Sequence, residues 1–381
     1  MNLRPRSASL GLLLAVAAGI SAAALVAGNA GAATTTALRG TIALTGSSCA
    51  CSSNSVQVYL LHLASGQLSQ LTHGPVDHAA VDWSPNGSRL LVGETGPGRQ
   101  GLYSMRADGS SERLLARRAD WAEVQWSPDG HRVAYLSNEV ETQTGGRPYV
   151  RGRLYVINAN GTHRRLLAKH VDVSQGGFFG VHNGDFSWAP DGRRIVFFGK
   201  CNAPRLICSV VDGLVTVKTT GKPTMRQIWA GEFFKQWQPS WSPDGSRIAF
   251  VGEPDSGASG LFVMRTDGSH RKRLPVWMYG YVWSPNGSWI AGYSGNGVDS
   301  VLHSDGARTR TWTASRGGIT FSPNSSRLAY LGGGPGPFYN PNGSLYVANA
   351  DGSTPIQVLN VQSLYLDKPL WRGGTAETES G

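Results

Sequence analysis

Beyond residue 40 the sequence has no sustained run of apolar residues at helical spacing, which excludes a helical bundle and leaves strands and turns to build the fold. Cysteine is scarce, four in 381 residues, with no CxxC pair and no partnered histidine cluster, so a cysteine-based metal site is excluded. The HExxH and P-loop patterns are absent. One GxGxxG match, Gly96 to Gly101, lies between two strand-like runs. No helix follows it, so it lacks the helix N-terminus that a dinucleotide pyrophosphate needs. A surplus of acid is also missing: the formal net charge is +10, of which Arg4 and Arg6 supply two units. The arginines are scattered rather than clustered, which argues against nucleic acid and leaves electrostatic contact with an anionic envelope surface.

Glycine and proline, in contrast, are abundant at 50 and 20 residues, as many short strands joined by turns require. Apolar residues make up 40% of the chain, enough for a sizeable core.

The N-terminus reads as a signal peptide over residues 1–32. Arg4 and Arg6 precede an apolar run from Leu10 to Ala27, and Ala30-Gly31-Ala32 is the small-residue pattern of a cleavage site. A retained membrane anchor is the alternative use of that run. No cysteine marks the cleavage point, so a lipid anchor is not indicated. The expected location is extracellular or periplasmic, in or outside the cell envelope. Export makes disulfides the expected state of the cysteines. Cys201 and Cys208 flank a short loop and suit a bridge across a hairpin. Cys49 and Cys51 are the second candidate pair, although their ring would be small and strained.

Residues 126–137, WSPDGHRVAYLS, return almost unchanged at 241–252 as WSPDGSRIAFVG. Related copies begin at Trp83, Trp188, Trp283 and Phe321, and PLWRGG places Trp371 in the same slot. The copies are spaced 38 to 62 residues apart, 48 on average, which is the size of one propeller blade. Ser-Pro-Asp/Asn-Gly matches a type I turn position by position. The RVAYL or RIAFV that follows is apolar on both alternating faces, as a strand between two neighbouring sheets must be. A second turn, Asp-Gly or Asn-Gly, follows each copy around Gly109, Gly161, Gly268, Gly306 and Gly352, with Gly213 expected to fill the remaining repeat. One unit is therefore four strands.

The N-terminal piece, around IALTG, VQVYLL and LASGQ, has three strands and no Trp strand, and the Trp371 piece has a Trp strand and no followers. Joined, they complete a seventh blade and remove two exposed sheet edges. The expectation is an all-β propeller of four-stranded blades, seven in number, over residues 33–373. Residues 374–381 form a disordered tail. A six-bladed ring with the N-terminal piece outside it is the alternative.

The repeat resembles the WD40-like (PD40) repeat of TolB-type propellers, over about residues 38 to 373. The α/β domain that precedes the propeller in that family has no counterpart, which puts a Tol–Pal role in doubt. Prolyl-oligopeptidase-type peptidases carry similar repeats, but their GxSxG hydrolase signature is absent here. In propellers of this resemblance the first strand lines the central channel, so the segments leading into each Trp strand ring one mouth. Here they supply Asp77, His78, Asp120, Trp121, Glu123, His182 and Asp185 from the first half, and Gln236, Gln238, Tyr279, Arg316 and Asp367 from the second. Acids, imidazoles, amides and aromatics converging on a funnel suit a peptide or glycan ligand. The reading is a monomeric binding scaffold with a protein or glycan partner, no catalytic residue and no cofactor. The rival is a metal-assisted lyase or hydrolase holding a divalent ion through His78, His182 and Asp185. A non-catalytic relative of the peptidase propellers is the third reading. The five Asn-x-Ser/Thr sequons, such as Asn86 and Asn286, mostly coincide with turns, and turn chemistry accounts for them.

Overall fold

A computed structural model describes residues 38–47, 55–96, 99–117, 119–141, 149–172, 185–199, 213–230, 233–254, 259–295, 298–313, 318–332, 343–361 and 365–373. Among these, 28 strands assemble into seven antiparallel blades of four. Blade 1 is typical: Asp77–Trp83, Arg89–Gly96, Arg99–Arg106 and Arg113–Arg117 pair in sequence order, from the channel outward. Blades 2 to 6 start at the strands that contain Trp126, Trp188, Trp241, Trp283 and Phe321. Blades 2 and 3 are joined by a single extra bridge, Val171 to Gly199.

Blade 7 is built from both ends of the propeller. Tyr365–Trp371 is its inner strand, followed by Thr41–Ser47, Gln57–His62 and Gln67–Gln70. Ile42 lies opposite Trp371 and Ala43 opposite Leu370. The amide of Arg372 then donates to the Thr41 carbonyl at 2.9 Å.

The Ser-Pro-Asp-Gly turn works as its residue types dictate. Gly130 N–H bonds the Ser127 carbonyl at 2.8 Å, closing the turn. Ser127 Oγ donates to Asp129 Oδ1 at 2.5 Å, and the same carboxylate oxygen accepts the His131 amide at 3.0 Å. Asn86, Asn286 and Asn324 accept from their own serines at 2.7 to 2.8 Å, so the amide replaces the carboxylate at no geometric cost. Only at the Asp positions does the turn titrate. The Ser242 hydroxyl bond, followed by those from Ser246, holds the Asp244 carboxyl at about 2. A depressed folded value stabilises above the unfolded carboxylate range, and that contribution fades as pH falls from about 4 towards 2. Asp244→Asn is therefore expected to fold normally and to lose part of the acid-side fall in Tm. Thermal scans from pH 2 to 7 read this out.

One turn lies elsewhere than its motif indicates. Gly213 begins the strand Gly213–Lys218 and pairs with Gly199 and Ala230, so it is not a hairpin turn. The blade 3 turn falls at Gly221 (φ +61°), in a stretch without Asp-Gly. Thirteen residues separate the second and third strands of this blade, and the Asp-Gly falls at the start of the third strand rather than beyond its end.

Apolar side chains on both faces of each blade interdigitate with the neighbours. Seven clusters result among the described residues, one per blade-to-blade seam, where an open row of seven blades would form six. Ile42, Leu44 and Trp371 pack against Ala329 and Leu345 of blade 6, while Ala43, Val58 and Leu370 pack against Trp83 and Leu90 of blade 1.

A guanidinium closes several seams. The Arg that opens the second strand lies over the Trp of the next blade: Arg132 over Trp188, Arg194 over Trp241 and Arg247 over Trp283, at 5.2 to 5.4 Å. This is cation–π distance. In blade 7 that slot holds Thr41. Arg372 reaches the same place from the other chain end, 5.5 Å from the Trp83 ring, with Nε donating to the Gly87 carbonyl at 2.6 Å. In blade 5 the slot holds Trp289, and the facing residue of blade 6 is the one Phe of the series, Phe321.

Candidate binding site at the channel mouth

The inner strands do more than line a channel. Their side chains bond the backbone of the next inner strand around the ring. Asp82 Oδ2 accepts the Trp126 amide at 2.9 Å, Gln125 Nε2 donates to the Phe186 carbonyl at 2.8 Å, and Ser187 Oγ accepts the Trp241 amide at 3.2 Å. Across the closing seam the second strand of blade 7 takes this part, Thr45 Oγ1 accepting the Ala80 amide at 2.9 Å. Each of these polar groups thereby satisfies a backbone group that a buried seam would leave unmade, an omission worth about 1–3 kcal/mol.

Several residues expected at the mouth take part in the same girdle. Glu123, buried, accepts the Asp185 amide through Oε2 at 2.6 Å. Asp185 is buried as well, so its peptide leads into blade 3 beneath the surface. Gln238 adopts φ +58°, and its Oε1 accepts the Gly280 amide at 3.0 Å. Its carbonyl accepts the Tyr281 hydroxyl at 2.5 Å. Burial pushes that phenol well above its ordinary value, which keeps it a donor.

Asp77 is exposed and caps the blade 7 backbone, accepting the Val56 amide at 2.8 Å. The next residue turns inward. His78 Nε2 meets Glu94 Oε1 at 3.3 Å, with both side chains buried, and His78 Nδ1 has no hydrogen-bond partner. Glu94 occupies a slot that holds serine or glycine in the other blades, for example Ser137, Gly199 and Gly252. The imidazole–carboxylate pair is therefore particular to the seam between blades 7 and 1.

The remaining candidates are fixed by backbone position. Asp120 lies opposite Leu136, Gln236 opposite Gly252, Tyr279 opposite Tyr293, and Asp367 opposite Thr45. Trp121 follows Asp120 in the same strand. All five sit in inner strands on the side that leads into the Trp. His182 and Arg316 lie outside the described residues, as do Cys49, Cys51, Cys201, Cys208 and the segments 1–37 and 374–381. No group of three His, Cys, Asp or Glu gathers among the described residues.

Residue-type reasoning passed over Asp82, Gln125 and Ser187. Their signal was present: each is the polar residue immediately before an aromatic, in VDW, VQW and FSW. Glu94 was missed because a single acid at the end of an apolar strand reads as a loop residue.

The chain matches no protein-family model. Among curated proteins, it is 29% identical over 110 residues to an uncharacterized peptidase, YuxL, of Bacillus subtilis; the match covers 28% of this chain and 16% of that one. Oligogalacturonate lyase from Vibrio parahaemolyticus superposes with a TM-score of 0.54 at 14% identity, over 85% of this chain and 87% of the other. TolB from Acinetobacter baumannii does so with a TM-score of 0.48 at 15% identity, over 87% of this chain and 82% of the other. At such identities the likeness concerns fold alone. Repeat, blade count and closure together make the chain a seven-bladed β-propeller.

Proposed function

We propose that this propeller is an exported binding scaffold that takes a peptide or glycan at the channel mouth. The observation that carries the reading is the use made of the mouth acids and amides. Glu123 and Gln238 hold backbone amides of neighbouring blades, which supports a rigid, preformed rim over a free acid–base pair. Aromatics and acids from the segments around Trp121, Gln236, Tyr279, Arg316 and Asp367 would then contact the ligand, while Asp77 and Asp120 orient it and the buried Asp185 supports the rim from below. A pull-down from envelope extracts tests this with the wild-type propeller and a Trp121→Ala/Tyr279→Ala variant as baits. Specific capture of one component, lost or weakened at least tenfold in the variant, is expected. Equal capture by both baits would remove the mouth from the account.

A second reading is favoured by one observation, the buried and unpartnered Nδ1 of His78. It assigns the mouth to a metal-assisted lyase or hydrolase, with His78, His182 and Asp185 as ligands. Elemental analysis separates the two. One equivalent of divalent metal, lost in both His78→Ala and His182→Ala, would favour the enzyme; metal content that these changes leave unaltered favours the scaffold.

A further inference from the structure

The cations are unevenly placed around the disc. The outermost strand of each blade, with the turn that feeds it, forms the rim. In blade 2 the stretch 159–170 carries Arg164, Arg165 and Lys169 and no acid. In blade 3 the stretch 218–230 carries Lys218, Lys222 and Arg226, again with no acid. In blade 4 the stretch 265–274 carries Arg265, Arg271, Lys272 and Arg273 against the single acid Asp267. The rest of the rim differs. Blade 1 offsets its arginines with Asp108 and Glu112, and blade 5 sets Asp305 against Arg308 and Arg310. The stretch 349–361 of blade 6 has no Lys or Arg, and 62–72 of blade 7 has no Lys, Arg, Asp or Glu.

The three basic rims form one surface. Arg165 donates to the Thr219 and Gly221 carbonyls of blade 3. Arg271 of blade 4 lies 5.1 Å from the Trp229 ring of blade 3. Lys169, Lys218, Lys222 and Arg226 are exposed between these tethers. At the far end, Arg265, His270 and Lys272 line a notch of about 610 Å³ between blades 4 and 5.

We propose that the rim of blades 2 to 4 is a docking surface for a flexible, linear, phosphate-bearing polymer. Guanidinium and ammonium groups in this density match a chain of phosphates. Curvature selects the form of the partner. Three of seven blades span close to half the circumference, so a flat bilayer would touch one blade's rim at a time, whereas a flexible polymer can follow the arc. Among the described residues of the arc no Phe, Tyr or Trp is exposed, Trp229 being half-buried against Arg271, so bases would find no open platform on which to stack. This surface is independent of the channel mouth.

The test uses long-chain inorganic polyphosphate as probe and a Lys169→Gln/Lys218→Gln/Lys222→Gln/Arg226→Gln variant. A control variant replaces Arg113, Arg117, Arg308 and Arg310 with glutamine. Binding to the wild type should weaken linearly with log salt. The arc variant should lower that slope by roughly 3 and the low-salt affinity at least tenfold, since each lost phosphate contact removes about 0.7–0.9 from the slope. The control should stay within about threefold of wild type. Lysine acetylation footprinting of the wild type, which needs no variant, should show protection of Lys169, Lys218, Lys222 and Lys272 by the polymer. Equal losses in both variants, or unprotected arc lysines, would overturn the proposal. So would phosphatidylglycerol vesicles or single-stranded DNA binding as tightly as polyphosphate.

Discussion

Asp299→Leu should make the protein more stable, by on the order of 3 kcal/mol, and most strongly at alkaline pH. Asp299 is 1% exposed, and neither carboxylate oxygen has a hydrogen-bond partner among the described residues. It stands in the third strand of blade 5, on the face that packs against blade 6 together with Val301. In the other blades the same slot holds Leu102, Leu154, Leu214, Leu261 and Leu345, or Val58 in blade 7. The groups around it give no compensation. Tyr293 and Trp312 lie opposite it in register, and the Tyr330 hydroxyl of blade 6 is itself pushed up to about 12 by burial, by Tyr346 and by Asp299. Burial raises the Asp299 carboxyl well above its ordinary value. A raised folded value means that the native state binds the proton more tightly than the unfolded chain. The stability it permits is full at acid pH and is lost as pH rises from about 4 through the folded value. Leucine removes that dependence, replaces an unpaired polar group costing about 1–3 kcal/mol, and adds buried apolar surface. Thermal melts of wild type and variant from pH 4 to 9 should diverge with rising pH, by several degrees at the top of the range. Asp299→Asn, which keeps the shape and removes the charge, should lose the pH dependence while gaining less stability. Parallel curves would show that the carboxyl is hydrated or paired in solution.

Loss of the closing strand should be the most damaging change of all. A chain ending at residue 364 leaves Thr41–Ser47 as an unpaired inner edge and removes Trp371 and Leu370 from two seams. It also removes Arg372 from the Trp83 ring and from the Gly87 carbonyl. Trp371→Ala alone should cost about 3–5 kcal/mol, as the loss of a buried tryptophan generally does. The full truncation should exceed this and approach the whole stability of an ordinary domain, about 5–15 kcal/mol. Denaturant titration is the direct measurement. Trp371→Ala should shift the midpoint down with little change in slope, whereas the truncated chain should lose cooperativity. Arg372→Met should cost roughly 1–2 kcal/mol, from one cation–π contact and one charge-assisted bond. A wild-type midpoint in the truncated chain would show that six blades suffice.

How much of this was legible in the sequence follows from the range of the interactions. The Ser-Pro-Asp-Gly turn is a local device, so Ser127, Asp129 and Gly130 announce themselves, as does Gly109 at the second turn. The blade count needed only the repeat and an inventory of strands, and the pairing of Ile42 with Trp371 follows from it. Gly213 misled because Asp-Gly is a turn signal only when strands flank it at short range. Glu123 and Gln238 do lie in strands that lead into a Trp, yet their engagements could not be read. Whether Glu123 meets a ligand or the Asp185 amide depends on the angle between two blades far apart in sequence. Arg372 illustrates the same limit. It fills the slot of Thr41 from more than three hundred residues away, and only ring closure connects them. Asp299 was visible as a polar residue in an aliphatic column, but only once the seven third strands are aligned by their turns.

The central claim is that both chain ends share one sheet. Hydrogen exchange of the intact protein, read by mass spectrometry on peptides spanning Thr41–Ser47 and Tyr365–Trp371, tests it most directly. Closure predicts that both peptides exchange as slowly as the second strand of blade 4, Arg247–Pro254, and that they lose protection together in denaturant. Exchange of Tyr365–Trp371 within seconds, while blade 4 stays protected, would contradict it.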